Sequence, residues 1–406
     1  MRFPKLTDLD RDQNAIYSGA PPEGTVLIGG PPGTGKSVIA FHRAHMLARL
    51  KRDPKVIMFN SVLAQYTSNR GGVAPDVRVS TLHKWAADWW GTAFGTRTPL
   101  PFLDGDRFAH DWSEIQAKAL LLAQVPANVH RLNWGHLIID EGQDFSPALY
   151  AFLMITMTVA NSSGARPQLA VTVMADENQR LTPTRNATLE QIRQNLGLFA
   201  GDRNVFFLKK NYRNTKEIAE FASFFYVGLP TGKPTAPTRS GDLPVISWVD
   251  RDKNGQFLDV CASKIARYAA LKRTEEIAVV AMRDATRSSM FNRLKTKLQA
   301  EGIAVQSYSF KDENLKASDL KFDQPGHVTV INAASAKGLE FDSVFLIDPG
   351  ILVSNPDGSS FLNAKMTMYV LASRARSFLN VMLVADQNSH TLMEIIPGAA
   401  YEKEVL

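Results

Sequence analysis

The feature that most constrains the fold of this chain is the stretch IGGPPGTGKSVIAFHRAH, residues 28–45. An apolar strand end is followed directly by a glycine-rich turn and then by a helical pattern. The turn has the spacing G-x-x-x-x-G-K-[ST], which lets backbone N–H groups and a helix N-terminus approach a phosphate group. Strand, turn and helix together predict a P-loop at the edge of an α/β sheet rather than an ordinary glycine-rich turn.

Within this loop, each residue type has an expected role. We expect Lys36 to bridge the β- and γ-phosphates of a nucleotide and the Ser37 hydroxyl to bind Mg²⁺. The predicted phosphate-contacting residues are Gly30, Pro31, Pro32, Gly33, Thr34, Gly35, Lys36 and Ser37.

The segment HLIIDEGQDF, residues 136–145, supplies a second predicted half of the site. An apolar strand pattern ends here in Asp140 and Glu141, and ligands bind at the carboxyl ends of strands in open α/β sheets. We expect Asp140 to bind Mg²⁺, directly or through water, and Glu141 to orient the attacking water and accept its proton. A P-loop followed by this carboxylate pair predicts an ATPase or GTPase.

Short apolar runs alternate with helical patterns along nearly the whole chain, which favours parallel α/β sheets. The predicted change-over lies near residues 197–203 and gives domains at 1–198 and 199–406. A stretch rich in proline and glycine, residues 228–244, is predicted to be an irregular connection. Candidate strands are 25–28, 55–59, 136–139 and 169–174 in the first half, and 205–208, 245–249, 276–282, 328–331, 344–347 and 380–385 in the second.

Composition excludes several other classes of protein. The longest mostly apolar run, residues 147–160, is too short to span a bilayer, and the N-terminus has no signal-peptide pattern, so we expect a cytoplasmic protein without a membrane partner. The single cysteine, Cys261, excludes an intramolecular disulfide and a cysteine-rich metal site. The net charge of +6 suits a polyanionic partner but is weak evidence for one.

Further segments follow the P-loop in a fixed order: VSTLHKWA (79–86), DEGQD (140–144), MADENQRL (174–181), LKKNYRN (208–214), SAKGLEFDSV (335–344) and YVLASRARS (369–377). The spellings D-E-x-Q-D, N-Y-R and A-K-G-L-E-F are each moderately specific, and their order makes the combination strong. In this order the segments resemble the motifs of superfamily 1 helicases of the UvrD/Rep type. The resemblance implies an α/β fold of two tandem RecA-like domains, with ATP and Mg²⁺ bound between them.

The resemblance also implies roles for residues around the nucleotide. Gln13 would read the adenine edge and Tyr212 would stack on the base. Gln179 would sense the γ-phosphate and couple it to the nucleic-acid path. In the A-K-G-L-E-F motif, Glu340 would contact the ribose, with Gly338 beside it.

Two arginines of the second half are implied to act on the γ-phosphate. Arg213 and Arg374 would stabilise the charge of phosphoryl transfer, a contribution on the order of 10³–10⁵ in rate in related NTPases. Arg376 is close enough in the sequence to take the place of Arg374.

This sequence departs from the resemblance in three ways. The segments 86–135 and 215–334 leave room for only a reduced accessory insertion in the first domain and little or none in the second, which puts strand separation in doubt. The third motif lacks the expected base-stacking aromatic residues, since residues 178–198 contain no aromatic side chain. Asn332 and Ala334 replace the threonine and histidine that commonly precede A-K-G-L-E-F.

The resemblance implies nucleic-acid contacts in two early segments. Among the aromatic candidates, Trp85 is more readily explained as a core residue, because aromatic residues at helical spacing usually pack inside and base stacking needs an exposed ring. The candidate contacts are Phe59, Asn60, His83, Lys84 and Trp85.

Two hypotheses of different classes follow. The first is an ATP-driven translocase or helicase on single-stranded DNA, with implied 3′ to 5′ movement and with RNA left open as the strand. The second is a remodelling or switch ATPase whose partner is a protein, since the core is also similar to that of HelD-type ATPases. Such a protein could be one subunit of a bacterial defence complex with a separate nuclease.

Overall fold

The computed structural model describes residues 4–59, 62, 77–179, 186–199, 201–250, 256–309, 312, 315–322, 326–353 and 358–406, without the side chains of 107 and 358–360. The chain divides into two compact units after Leu208. The first unit contains residues 35–208 with the preceding segment up to Gly30, and the second contains residues 209–406 together with the P-loop tip, residues 31–34.

The first unit is built on a six-stranded parallel sheet in the order β3-β2-β6-β7-β1-β8. Strands β1, β6 and β7 are buried along nearly their whole length, as expected for the centre of a parallel sheet covered on both faces. Its strands, with a separate antiparallel hairpin β4–β5, are β1 (Gly24–Gly29), β2 (Pro54–Met58), β3 (Arg78–Thr81), β4 (Phe102–Leu103), β5 (Asp106–His110), β6 (His136–Ile139), β7 (Ala170–Ala175) and β8 (Val205–Phe207).

Strand β8 corrects one assignment made from the sequence. The run 205–208 was assigned to the second half, but Val205–Phe207 pairs with Leu27–Gly29 of β1 in the first sheet. The pairing places the last strand of the first unit directly beside the strand that leads into the P-loop.

In the described part of the first unit, six helices connect and cover this sheet. Four short 3₁₀ turns, Leu6–Asp8, Pro126–Leu132, Gly142–Asp144 and Glu177–Gln179, lie between the regular elements. The helices are α1 (Arg11–Gly19), α2 (Lys36–Arg49), α3 (Leu82–Phe94), α4 (Trp112–Ala123), α5 (Pro147–Ser162) and α6 (Leu189–Asn195).

The segment predicted to be a reduced insertion packs through aromatic side chains. Trp85 and Trp89 of α3 stack with ring centroids 6.0 Å apart, and both rings meet Trp134 edge to face. Trp89 also contacts Phe152 of α5. These rings belong to the core of the first unit and fix α3 against α5.

The second unit has a seven-stranded parallel sheet in the order β11-β12-β10-β13-β14-β9-β15. Its own apolar core lies around α8, α9 and the central strands. The strands are β9 (Val245–Val249), β10 (Ile277–Ala281), β11 (Ala304–Tyr308), β12 (His327–Asn332), β13 (Phe341–Ile347), β14 (Ala375–Val384) and β15 (Glu402–Val405). The helices are α7 (Lys216–Ser223), α8 (Phe257–Leu271), α9 (Asp284–Gln299), α10 (Ala333–Ala336), α11 (Gly358–Ala372) and α12 (Gln387–Met393).

Both main sheets are parallel and flanked by helices, which confirms the predicted α/β class with two tandem RecA-like domains. Over the described part of the chain, every helix falls short of the length and apolar character that a bilayer crossing requires.

Candidate active site

The P-loop lies between the buried strand β1 and the first turn of α2. Gly35 adopts a left-handed conformation with φ of 88° and precedes Lys36, the first residue of the helix. The Lys36 ammonium is buried; it donates a 2.5 Å hydrogen bond to the Gly30 carbonyl and lies 4.0 Å from the Asp176 carboxylate. This geometry holds the positive charge inside the loop, where a nucleotide's phosphates would bind.

Gln13 of α1 lies directly against this loop. The left-handed backbone favours glycine at this position, and a Cβ atom on Gly35 would stand 2.4 Å from Gln13 Nε2 and displace that amide. Gln13 is itself fixed by a reciprocal cap with Asp10, since the Gln13 N–H donates to the Asp10 carboxylate and the Asp10 N–H donates to Gln13 Oε1.

Asp140 follows β6 at the carboxyl edge of the sheet and meets the P-loop. The Ser37 hydroxyl donates a 2.6 Å hydrogen bond to Asp140 Oδ2. Burial and the neighbouring Glu141 carboxylate raise the pKa of Asp140 to about 6, against the lowering effect of Ser37 and Lys36. The ionised form of this carboxylate would therefore gain from a cation at this point.

The residues present fit Mg²⁺. A serine hydroxyl and a carboxylate in direct contact are hard oxygen donors, which this ion prefers, and Mg²⁺ is commonly held by one or two carboxylates plus substrate phosphates. Within the described ranges no group of three or more His, Cys, Asp or Glu side chains could bind a metal without such a substrate.

Glu141 is tied to Gln179 through two residues that the sequence interpretation did not assign. Gln143 Nε2 donates a 2.5 Å hydrogen bond to Glu141 Oε2, and Gln143 Oε1 accepts from the Asp176 N–H at 2.8 Å. Gln179 Nε2 in turn donates to Asp176 Oδ2 at 2.6 Å. Glu141, Gln143, Asp176 and Gln179 therefore form one buried hydrogen-bonded chain, which we call the glutamine relay.

The backbone at Glu141 is unusual. Its φ of 54° lies in the left-handed region, which is uncommon for a residue with a side chain and often occurs where function demands a particular orientation. The following Gly142 packs so closely that a Cβ atom there would stand 2.4 Å from Val173 Cγ1, and its carbonyl accepts a hydrogen bond from the Tyr150 hydroxyl. The turn that carries Glu141 is thus held by β7 and α5.

In the second unit, the structure brings Arg213 and Glu340 together. The Arg213 Nε atom lies 2.6 Å from Glu340 Oε2, and Arg376 Nε lies 3.8 Å from the other carboxylate oxygen. Arg376 also pairs with Glu276 at 2.9 Å and with Asp342 at 3.3 Å. Burial raises the pKa of Glu340, but the two guanidinium groups outweigh it and leave that pKa below its usual value.

Arg374 has a different environment from Arg213. Its side chain is buried, and its guanidinium donates to the backbone carbonyls of Val370 and Leu339. Leu339 lies between Gly338, which has a φ of 82°, and Glu340, so Arg374 supports the turn that presents Glu340.

Tyr212 is 42% exposed and lies beside the P-loop tip within the second unit. Its N–H donates to the Gly33 carbonyl at 2.8 Å, and the Lys210 ammonium lies 4.9 Å from its ring centroid. An exposed aromatic ring beside the loop is compatible with the expected stacking on a nucleotide base.

The predicted nucleic-acid contacts are divided between surface and core. His83 and Lys84 are exposed; His83 Nε2 is hydrogen-bonded to the Phe108 carbonyl, and Lys84 pairs with Asp88 at 3.1 Å. Trp85 is only 4% exposed, so its ring is packed in the core and is not available to a base. Phe59 is half-buried against Phe145, and Asn60 lies outside the described residues.

The missed site residues carried a partial signal in the sequence. Gln143 and Asp176 stand inside two of the recognised motifs, but their letters alone do not show that one side chain spans both. Gln143 follows β6 and Asp176 follows β7, and only the strand order of the sheet shows that these two strands are neighbours.

Together the parallel sheet, the P-loop and the carboxylates at its edge define a P-loop NTPase. Residues 12–185 match the model of the family AAA_19, described as an AAA domain. The match covers less than half of the chain and lies in the first unit, where it agrees with the resemblance to UvrD/Rep-type helicases. The first unit is thus a helicase-like domain that uses a nucleotide.

Two solved structures are similar to the chain. The C-terminal domain of a possible DNA helicase from Lactobacillus plantarum WCFS1 matches 47% of this chain and 98% of that domain, at 20% identity and a TM-score of 0.33. The match to the DUF1998 helicase MrfA, bound to DNA and AMPPNP, covers 98% of this chain and 52% of the MrfA chain, at 10% identity and a TM-score of 0.49. Curated proteins give no match to this chain.

Proposed function

We propose that this protein hydrolyses ATP at its P-loop and uses the energy to move along single-stranded DNA in the 3′ to 5′ direction. The glutamine relay carries this proposal, because it joins the carboxylate expected to activate water to the residue expected to sense the γ-phosphate. Such a linkage has no evident use in a protein that only binds a nucleotide.

The proposed chemistry transfers the γ-phosphoryl group of ATP to water. Lys36 neutralises charge on the phosphates, and Glu141 orients the attacking water and accepts its proton. Bound Mg²⁺, held by Ser37 and Asp140, would neutralise negative charge on the phosphates. Arg213 stabilises the charge of the transition state, and Arg374 or Arg376 assists it; the ion pair of Arg213 with Glu340 keeps the guanidinium ordered until the nucleotide binds.

The proposed DNA contacts are confined to the exposed candidates. His83 and Lys84 remain on the surface at the start of α3, and their exposure supports a role in holding a strand. Phe59 is a weaker candidate because part of its ring packs on Phe145. RNA offers the same backbone phosphates and is the comparison strand in the test.

The test is steady-state ATP hydrolysis by the whole chain without a strand, with single-stranded DNA and with single-stranded RNA, at low salt because phosphate contacts weaken as salt rises. We expect a large stimulation by DNA that is absent in Lys36→Ala. Lys118→Ala is the matched control, because Lys118 is an exposed lysine paired with Glu114 on α4. DNA-independent hydrolysis would exclude the strand as the track, and Lys36-independent hydrolysis would exclude the P-loop as the site.

A second candidate function is a protein-stimulated ATPase, as a subunit of a larger complex that could include a nuclease. One observation favours it: the β4–β5 hairpin presents large apolar side chains to solvent, with Phe102, Leu103 and Phe108 exposed by 41%, 49% and 66%. Exposed apolar clusters commonly mark protein interfaces. Basal hydrolysis that ignores DNA and falls in Lys36→Ala would support this candidate over the first.

A further inference from the structure

The proline- and glycine-rich connection runs alongside the segment that carries Arg213. The Thr235 N–H donates to the Lys209 carbonyl at 2.7 Å, and the Lys216 N–H donates to the Arg239 carbonyl at 2.8 Å. The Gly241 N–H donates to the Glu217 carboxylate at 2.8 Å. Residues 235–241, which we call the brace, therefore run along residues 209–217 and are joined to them by backbone hydrogen bonds and by the Glu217 side chain.

Arg239 extends from the brace to a second segment. Its NH2 group donates to the carbonyl of Arg213 at 2.8 Å and also to the carbonyl of Arg376. Its NH1 group donates to the Ser377 hydroxyl at 3.2 Å. One guanidinium thus joins the backbones of two arginine-bearing segments that are distant in the sequence.

The side chains of the same two arginines converge on one carboxylate. Glu340 accepts from Arg213 Nε at 2.6 Å through one oxygen and lies 3.8 Å from Arg376 Nε through the other. The two segments are therefore fixed at their backbones by Arg239 and at their side chains by Glu340.

We infer that Arg239 is a positioning residue that sets the orientation of Arg213 and Arg376 for phosphoryl transfer. This inference rests on the proposed function, in which those arginines act on the nucleotide. Arg239 does so at a distance, because within the described residues its guanidinium donates to backbone carbonyls and a serine hydroxyl of the two segments.

A guanidinium suits this task better than an ammonium group. Its planar fork presents several donors in fixed directions and can reach two carbonyls at once, whereas lysine offers a single point of charge on a flexible stem. Small displacements of catalytic groups are costly, and a misplacement of about 1 Å can lower a rate on the order of 100-fold. We therefore expect Arg239→Ala to lower kcat by about 10-fold to 100-fold, with a much smaller change in the KM for ATP.

The experiment compares Arg239→Ala with Arg273→Ala in the full chain. Arg273 is a matched control because it is also a surface arginine of the second unit that bonds one carbonyl and one side chain, both of Glu301. Thermal unfolding of each variant shows whether the fold is kept. A third variant, Arg239→Lys, keeps the positive charge and tests whether the guanidinium geometry is needed. A lower kcat in a folded Arg239→Ala, incomplete recovery in Arg239→Lys and unchanged kcat in Arg273→Ala are the expected results.

A double variant shows whether Arg239 acts through Arg213. If it does, adding Arg239→Ala to Arg213→Ala lowers kcat by a smaller factor than Arg239→Ala does alone, because one of the two groups being positioned is already absent. Fully multiplicative effects, or an Arg239→Ala that behaves like Arg273→Ala while Arg213→Ala is impaired, would overturn this inference alone. No hydrolysis by the unchanged protein would overturn the proposed function and this inference with it.

Discussion

Gln143 joins two parts of the first unit that lie 33 residues apart in the sequence. Its amide nitrogen donates to the Glu141 carboxylate and its amide oxygen accepts from the Asp176 N–H, so a single planar amide makes both hydrogen bonds. An amide is suited to this position because it offers a donor to the carboxylate and an acceptor to the N–H group at once.

Gln143→Ala should therefore lower both stability and hydrolysis. It removes two buried hydrogen bonds and leaves the Asp176 N–H without its acceptor, which costs about 1–3 kcal/mol of unfolding free energy. Urea unfolding monitored by circular dichroism measures this loss. Gln194→Ala is the control, because Gln194 is exposed on α6 and its side-chain amide donates to another surface side chain, Glu190. Equal stability of the two variants would contradict the assigned role of Gln143.

Asp348 predicts a dependence of stability on pH. It follows β13 with a left-handed φ of 49°, and its Oδ1 atom is buried with no hydrogen-bond partner in the described part of the chain. Burial and the Asp386 carboxylate raise its pKa to about 6. The folded protein therefore holds this proton more tightly than the unfolded chain, so Asp348 destabilises the fold above pH 6 and less so as the pH falls toward 4.

Asp348→Asn should stabilise the protein more at pH 7.5 than at pH 5. Asparagine tolerates the left-handed backbone and removes the buried charge. We expect a gain of about 1 kcal/mol at pH 7.5, reduced from the full linkage value because the carboxyl is partly solvated. Urea unfolding of both proteins at the two pH values measures it, and an equal difference at both would contradict the raised pKa.

At the residue scale, the sequence predicted the groups that belong to linear motifs and missed those that link motifs. Lys36, Ser37, Asp140 and Glu141 lie together as expected, because a P-loop and a strand-end carboxylate pair have fixed local geometry. Arg239 had no such signal, since its role depends on a loop running back along another segment.

At the scale of elements, buried strands were easier to predict than edge strands. Strands β6 and β9 have the predicted bounds, because unbroken apolar runs mark them. Strands β3, β11 and β15 were missed; each lies at the edge of its sheet, where one side faces no partner and polar residues are tolerated. The run EKEV of β15 is an example, since three of its four residues are charged and Val405 alone is apolar.

Helix α3, which carries His83 near its start, should depend on Trp85 for its position. Replacing a buried tryptophan by alanine usually costs about 3–5 kcal/mol, so Trp85→Ala should lower the unfolding free energy by that order. The control is Phe199→Ala, because that ring is 76% exposed and its loss should change stability by less than about 0.5 kcal/mol. A Trp85→Ala protein with unchanged thermal unfolding but weaker DNA binding would instead show an exposed, strand-binding ring.

At the scale of the whole molecule, each unit has its own sheet and its own apolar core. A ligand that binds only the folded state raises stability by mass action, by about 2.7 kcal/mol at one hundred times its dissociation constant. The shift in melting temperature therefore reports nucleotide binding without requiring turnover.

Mg²⁺ and ATP together should raise the Tm of a Glu141→Gln protein and leave that of Lys36→Ala unchanged. The first variant keeps the phosphate site but lacks the proposed base, so ATP remains bound and intact; the second lacks the buried ammonium of the P-loop. Differential scanning calorimetry with Mg²⁺ alone provides the baseline. An equal shift in both variants would place nucleotide binding away from the P-loop.

The position of β1 in the first sheet has a consequence for folding while the chain is being synthesised on the ribosome. Its neighbours are β7, residues 170–175, and β8, residues 205–207. Both edges of β1, the strand that leads into the P-loop, can therefore be covered only after about half of the polypeptide has been synthesised. At a synthesis rate of about 5–20 residues per second, that interval is roughly 10–40 s. For that time the nascent chain carries an apolar strand with an open edge, and a chaperone that shields such strands would have its greatest effect there.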